Sequence, residues 1–248
     1  MSDEEKKESD KVDQSRRNFI KNSGLTIGGL VLGGVAGGLI GSNSATTKSQ
    51  TTTKPVKSHE TKEFTEAMQF FSRKEDFDTL AAATECIFPE DENGPGAIAL
   101  RAPYYIDKQL ASPWGRNVND YRKRPFKDGQ TPLNRGEIFL QGIRKLDEEG
   151  EKKFQKSFRE LEEAEQIEIL QDFESGKVKL EYVTSAEFFA MLRQSTLEGV
   201  YCDPLYGGNK NMDGWKMKEY PGAQMSYANV IESKEFVKIE PMSLSDHF

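Results

Sequence analysis

The residue type that performs most acid and base catalysis near neutral pH is scarce in this sequence. There are two histidines, His59 and His247, and neither lies in a segment whose pattern predicts a core site. Histidine is the side chain whose ordinary pKa lies closest to neutrality. We therefore exclude histidine-based triads, haem with a histidine ligand and zinc sites with histidine ligands.

The two cysteines, Cys86 and Cys202, also limit the chemistry. Two separate thiols cannot hold an iron–sulfur cluster and do not make a disulfide framework. They could pair with each other, stay buried as small apolar side chains, or bond a partner chain. Burial is favoured for Cys86, which lies on the apolar side of its segment.

Carboxylates are abundant, so their number allows a catalytic pair in which one acts as the acid and the other as the base. A set of acidic residues falls on the polar sides of predicted helices, where surface charge is the favoured explanation: Glu148, Glu149, Glu151, Glu160, Glu162, Glu163 and Glu165. Asp203 is the best candidate for a catalytic carboxylate because it lies in a glycine- and aromatic-rich segment. An aspartate before proline, here Pro204, more often bonds its own backbone in a turn.

Nucleotide binding is not favoured by the motifs or by the charge. Gly94 to Ala99 reads GPGAIA, which has the spacing of a dinucleotide-binding loop, but a helical pattern precedes it instead of a strand. The acidic residues just before it would repel a pyrophosphate. The formal net charge is −7, and no basic face is evident, which argues against nucleic acid as a partner.

The elements that would position any site are predicted to be helices. Apolar residues recur every three or four positions through most of the chain after residue 75. The first two predicted helices are Asp76 to Phe88, which Pro89 stops, and Ala97 to Leu110, with a kink or a new start at Pro103. The next two are Leu133 to Glu149, with Thr131 as N-cap and Pro132 as first residue, and Glu162 to Ser175, which ends before Gly176. A fifth helix is predicted to begin at the capping box of Thr184 and Glu187. No series of Val- and Ile-rich strands occurs, so we predict one all-α domain with long loops rich in glycine, proline and aromatic residues.

The N-terminal segment has the order of parts of an export signal. Arg16 and Arg17, followed by Phe19, precede an uncharged, glycine-rich apolar run over residues 24–41. We assign residues 1–44 to a twin-arginine export signal, with a membrane anchor as the alternative, because glycine makes the run weakly hydrophobic. Residues 45–62 are rich in Ser, Thr and Lys and predict a flexible tether. The helical domain then covers residues 63–228, and residues 229–248 form a C-terminal tail.

Residues 199–227 interleave tyrosines and Trp215 with many glycines. One interpretation is a loop that covers the domain's own core. The other is a protein interface, because rigid aromatic side chains on an ordered loop are typical of such surfaces. Composition alone does not separate the two.

The chain resembles the gluconate 2-dehydrogenase subunit 3 family through residues 196–223, TLEGVYCDPLYGGNKNMDGWKMKEYPGA, which we call the hallmark segment. The matching parts are Glu198-Gly199, Asp203-Pro204, Tyr206 to Asn209, Gly214-Trp215 and Tyr220 to Gly222. Glu219 stands where the pattern has glycine. FPEDENGPGA and YIDKQLASPWG resemble the family's upstream segment, and the likeness spans residues 76–223.

The resemblance implies a non-catalytic small subunit that binds a large flavin-dependent dehydrogenase subunit and supplies its export signal. FAD would reside in that partner, and this chain would hold no cofactor or metal. The twin-arginine translocase would be a transient partner, a cytochrome subunit is a further candidate, and the complex would lie on the outer face of the cytoplasmic membrane. The expected partner interface comprises Trp114, Asp203, Tyr206, Gly207, Gly208, Asn209, Trp215 and Tyr220, and Cys202 is the candidate for an intersubunit disulfide.

Two other functions remain open at this stage. The glycine- and aromatic-rich loop could grip a saccharide by stacking, which would make the chain a stand-alone binding module outside the cytoplasm. The chain could also be an enzyme that uses a carboxylate pair including Asp203.

Overall fold

The computed structural model describes residues 67–127 and 129–247. The predicted export signal with Arg16, Arg17 and Phe19, and the predicted tether, lie outside the described residues. The domain boundaries assigned from the sequence therefore stay predictions.

The described residues form a helical structure without β-strands, as the all-α prediction expected. Its six α-helices are α1 (Lys74–Ile87), α2 (Ala102–Ala111), α3 (Arg135–Phe154), α4 (Glu163–Glu174), α5 (Ser185–Tyr201) and the short α6 (Asp213–Met217). Short 3₁₀ turns lie between them and at residues 244–247.

Two helix ends follow from the local sequence. Thr184 caps α5: its side chain accepts a hydrogen bond from Glu187 N, and the Glu187 carboxylate accepts one from the Thr184 N–H. Gly176 follows α4 at a φ of +74°, in the left-handed region that favours glycine after a helix. Both predictions are confirmed.

One predicted helix start is wrong, and at Pro103 the alternative of a new helix start is confirmed. Helix α3 begins after Asn134, whose side chain accepts from Glu137 N while Glu137 accepts from the Asn134 N–H. Thr131 instead accepts from the Leu133 N–H in a preceding turn, so a reciprocal capping box prevails over the Thr-Pro signal. Helix α2 begins at Ala102 because the left-handed Arg101 (φ 63°) ends the preceding turn, which leaves Pro103 in the first helical turn.

The core lies between the five longer helices and is dominated by aromatic rings. Six phenylalanines are almost completely buried: Phe77, Phe139, Phe158, Phe173, Phe188 and Phe189. The Phe188 ring on α5 meets Phe139 and Phe173 edge to face, with ring centroids 5.9 and 5.7 Å apart. Burial of each such side chain contributes about 1.5–3 kcal/mol, so α5 is firmly fixed at the centre of the fold.

Helix α5 carries this rigidity to the hallmark segment. It packs against α2 and α4 and ends at Tyr201, inside the hallmark segment. A smaller apolar cluster of Ala97, Leu100, Ala102 and Val200 secures this end of the helix. Whatever the hallmark segment does, it is built on a fixed base.

Candidate functional site

After α5 the hallmark segment folds back onto the end of that helix. The chain makes a 3₁₀ turn over Pro204–Tyr206, a second over Lys210–Met212, and the short helix α6 before reaching Pro221 and Gly222. Its backbone returns to α5 where the Asn209 N–H donates to Gly199 O at 2.9 Å. The segment is therefore part of the folded domain.

The Asn209 side chain joins the two ends of this fold-back. Asn209 is fully buried. Its Nδ2 donates to Cys202 O, just after α5, and its Oδ1 accepts from the Gly214 N–H in α6, both at 2.8 Å. Its φ of 44° lies in the left-handed region, which asparagine tolerates better than other non-glycine residues. One side chain thus satisfies two buried backbone groups and fixes α6 against α5.

Two glycines of the hallmark segment allow this close approach. A Cβ on Gly208 would overlap Gly199 O, and a Cβ on Gly214 would overlap Val200 O. Both clashes are with backbone of α5, which cannot yield as a flexible side chain could. These two positions therefore need glycine for packing.

Trp215 is buried within the fold of this chain, with 6 % of its surface exposed. Its indole Nε1 donates to Tyr201 O at 2.7 Å. The Tyr220 ring meets the indole edge to face at 5.3 Å between centroids, yet Tyr220 is 51 % exposed. Trp215 thus supports Tyr220, which faces solvent.

Asp203 binds the C-terminal residues of the chain. Its carboxylate accepts from the Leu205 N–H, as the turn interpretation predicted, and also from Ser243 Oγ (2.7 Å) and the Leu244 N–H (2.8 Å). Burial raises the pKa of Asp203, but these three hydrogen bonds outweigh it and hold the pKa below its usual value. We call the contacts between residues 242–247 and the hallmark segment the clasp.

The clasp includes two further contacts. Met242 pairs with Gly222 through the Ala223 N–H to Met242 O (2.7 Å) and the Met242 N–H to Pro221 O (3.2 Å). His247 Nε2 lies 2.6 Å from Ala223 O. The last residues of the predicted tail therefore dock on this chain's own hallmark segment.

The residues expected to meet a partner differ in their exposure. Tyr206 and Tyr220 are about half exposed, whereas Asp203, Asn209 and Trp215 are buried in the chain's own fold. Trp114 lies apart along the sequence, half-buried against Phe139 with the Arg135 guanidinium 4.9 Å above its ring. A contact of any of them with a partner stays a prediction.

Glu219 marks a strained turn. Its φ is 51°, which explains why a glycine is expected at this position. Its carboxylate pairs with Lys238 Nζ at 3.0 Å. The exposed turn between Trp215 and Tyr220 thus keeps its left-handed geometry without glycine.

Neither Cys86 nor Cys202 forms a disulfide in the described part of the chain. Cys86 is buried, as predicted. Burial raises the pKa of the Cys202 thiol to about 11, which keeps it protonated near neutral pH and slows its reaction as a nucleophile. A disulfide from Cys202 to a partner chain stays a prediction.

Sequence reasoning missed Ser243 as a partner of Asp203. A local signal exists, because Ser243 and Asp246 have the S-x-x-D spacing of a capping box, and the Ser243 N–H does donate to Asp246 Oδ2. That spacing announces a turn over Leu244–His247. It carries no information about where the turn docks.

In residues 67–127 and 129–247 no group of three or more His, Cys, Asp or Glu side chains is arranged to hold a metal ion. Within the same ranges, no helix has the length and apolar character needed to cross a bilayer.

We expect Asn209→Ala to destabilise the domain by roughly 2–4 kcal/mol, because it leaves Cys202 O and the Gly214 N–H buried without their partner. Asn211→Ala is the matched control, since Asn211 has a similar φ of 59° but is exposed. That control should cost no more than about 1 kcal/mol. Urea unfolding of the two variants measures the difference, and equal costs would refute the role given to the Asn209 side chain.

The clasp should open in acid. The folded pKa of Asp203 lies below its ordinary value of 3.8, so its stabilisation is present above that pH and is lost as the pH falls below it. Hydrogen exchange at the Leu244 amide, corrected for the intrinsic rate, should show this loss as a step. Asp203→Asn should abolish the step. A wild-type profile without a step, or the same step in the variant, would contradict this role of Asp203.

Comparison with known proteins agrees with the motifs. The family model described as gluconate 2-dehydrogenase subunit 3 matches residues 74–222, which is more than half of the chain and contains all six helices. No curated protein and no solved structure matches the chain. The matched region includes Asp203, Asn209 and Trp215, so the fold-back of the hallmark segment lies in the part that matches the family, whereas residues 242–247 of the clasp lie beyond it. The chain belongs to the gluconate 2-dehydrogenase subunit 3 family.

Proposed function

We propose that this chain is the non-catalytic small subunit of an FAD-dependent gluconate 2-dehydrogenase-like complex. It binds the large flavoprotein subunit and supplies the twin-arginine signal that exports the folded pair. FAD belongs to the large subunit, and the complex lies on the outer face of the cytoplasmic membrane. Membership of the family, which implies a complex with other subunits, is the observation that carries the proposal.

The buried polar side chains of the hallmark segment bond within the chain, and this supports a role of the segment in binding a partner. The Asn209 carboxamide and the Trp215 indole N–H both bond to the chain's own backbone. The apolar side chains that the segment exposes to solvent are the rings of Tyr206 and Tyr220 and the side chain of Leu205, each at least half exposed. They lie among exposed charged residues such as Lys210 and Lys216. Rigidly mounted aromatic side chains lose little entropy on binding and are typical of protein interfaces.

A cleft beside Tyr220 adds to this surface. It has a volume of about 520 Å³ and is lined by Tyr201, Trp215, Lys218, Glu219, Tyr220 and Pro221. Lys218 Nζ lies 5.7 Å from the centre of the Tyr201 ring. The cleft could accept an apolar side chain of a partner. Aromatic walls also suit a sugar ring, which keeps saccharide binding as the second candidate function.

The export role rests on Arg16 and Arg17. A pair of arginines before an apolar run is typical of the route that carries proteins already folded. Folded export suits a complex whose partner must receive a flavin before it leaves the cytoplasm.

Purification from the native host tests the proposal. The full chain, tagged at its C-terminus through a Gly/Ser linker, should bring down a large second polypeptide with flavin absorbance from gently solubilised membranes. Changing Arg16 and Arg17 to lysine should remove both polypeptides from the exported fraction, while the flavoprotein stays in the cytoplasm. A colourless chain without a partner would contradict the proposal and would leave sugar binding by the mature domain to be measured.

The same preparation tests the disulfide of Cys202. If the thiol bonds the partner, electrophoresis without reductant should show a band at the summed mass, and Cys202→Ser should abolish it. Cys86→Ser is the matched control and should leave the band in place. A purified complex that runs as two separate bands without reductant would refute the disulfide.

A further inference from the structure

Residues 224–241, which we call the strap, leave the domain at one point and return to it at the same point. The pairing of Gly222 with Met242 closes the base of the strap. Gln224 Nε2 donates to Pro221 O and Glu240 O, at 2.9 and 3.2 Å, and so ties the two ends together. Asp203 holds the chain immediately beyond, at Ser243 and Leu244.

Between these ends most of the strap is exposed to solvent. Residues 225–240 are exposed except for Val230 and Ile239, which are half-buried. The hydrogen bonds in its middle are local, such as those from the Val230 and Ile231 N–H groups to Tyr227 O. The contact of Lys238 with Glu219 places the strap beside Tyr220.

The strap concentrates exposed apolar side chains. Five large ones occur within thirteen residues, with exposed fractions between 41 and 84 %: Met225, Tyr227, Ile231, Phe236 and Val237. Leu205, Tyr206, Tyr220 and Leu244 are also exposed, on residues that adjoin the base of the strap. Single exposed apolar residues are ordinary on a protein surface, whereas a group of them marks a binding surface.

We infer that the strap is the element of this chain that docks on the large flavoprotein subunit. This inference rests on the proposed function, and it assigns to residues beyond the hallmark segment the main contact with the partner. The exposed apolar side chains become buried on docking, and the hallmark segment holds the base of the strap in place.

The charge of the strap favours a protein partner over a membrane surface. It carries three acidic residues, Glu232, Glu235 and Glu240, against two basic ones, Lys234 and Lys238. A segment that lies on an anionic bilayer is typically rich in lysine and arginine on its polar face. The strap also runs beside Tyr220, an exposed aromatic residue of the proposed interface, so one partner surface can cover both.

The match to the family ends at residue 222, where the two ends of the strap meet. The strap therefore follows directly on the matched region and starts from the hallmark segment.

Closure of the base prepares the strap for binding. A free tail would lose much conformational entropy on docking, whereas a segment tied at both ends has already lost part of it. The clasp thus contributes to affinity without touching the partner.

A strap variant of the full chain, with Met225, Ile231 and Phe236 all changed to serine, tests the inference in the native host. These side chains are 76, 77 and 84 % exposed, so the variant should unfold at the wild-type temperature. We expect the flavin absorbance per purified chain to fall at least tenfold. The control changes Met68 and Tyr182 to serine, which are 37 and 70 % exposed and lie outside both the strap and the loop of Trp114, and it should keep the wild-type ratio.

The outcomes separate the two proposals. If the wild-type chain brings down no flavoprotein, the proposed function fails. If the wild-type chain does so and the strap variant does so equally, the proposed function stands and the strap inference is overturned. Equal losses in the strap variant and the control would also overturn it.

A photo-crosslinking residue at Ile231 gives a second measurement that does not depend on the stability of the triple variant. It should join the chain to the flavoprotein, while the same residue at Tyr182, which is 70 % exposed outside the strap, should not. Crosslinks from position 231 only to a second copy of this chain, or only to lipid, would overturn the inference.

Discussion

The C-terminal third of the described structure depends on the two hydrogen bonds that the Asn209 carboxamide makes. It bonds backbone groups on both sides of the hallmark turn, at Cys202 and Gly214, in a fully buried position. Since the bond to Gly214 is buried and the bond to Cys202 is partly buried, both backbone groups would be costly to leave without a partner. The position of α6 follows from this bridge, and the position of Trp215 follows from α6. Asp203, at the start of the same turn, then has a fixed place from which to hold residues 243 and 244.

This construction separates support from recognition. Buried polar groups and glycines shape the hallmark segment, and they are engaged with the chain's own backbone. Exposed tyrosines and the apolar side chains of the strap are mounted on that support. A subunit that binds a partner benefits from such a division, because a surface held in place before binding loses less entropy on association.

The sequence predicted the parts of the fold that depend on local interactions. The capping box at Thr184, the glycine after α4 and the turn bond of Asp203 each involve residues within a few positions of one another, so a short pattern carries the signal. At Thr131 two local signals competed, and the reciprocal bonds of Asn134 and Glu137 prevailed. The left-handed φ of Glu219 agrees with the glycine expected at that place.

Contacts between distant segments could not be predicted in the same way. Tryptophan is common both in interfaces and in cores, so the residue type of Trp215 does not predict whether it is buried. It is buried because the fold-back brings the Tyr201 carbonyl within hydrogen-bonding distance of its indole N–H. Ser243 lies 40 positions from Asp203, and no periodic pattern links them. The sequence predicts a tail over residues 229–248 because nothing in that segment shows that Met242 returns to Gly222.

Hydrogen exchange of the chain, alone and in complex with its co-purified partner, tests most directly the separation of a fixed support from a docking surface. We expect the amides of Asn209, Gly214 and Tyr220 to be protected already in the isolated chain, because they are bonded within it. Residues 225–240 should gain protection only in the complex. Free exchange across the hallmark segment in the isolated chain, or a strap that exchanges equally fast in both states, would contradict this separation.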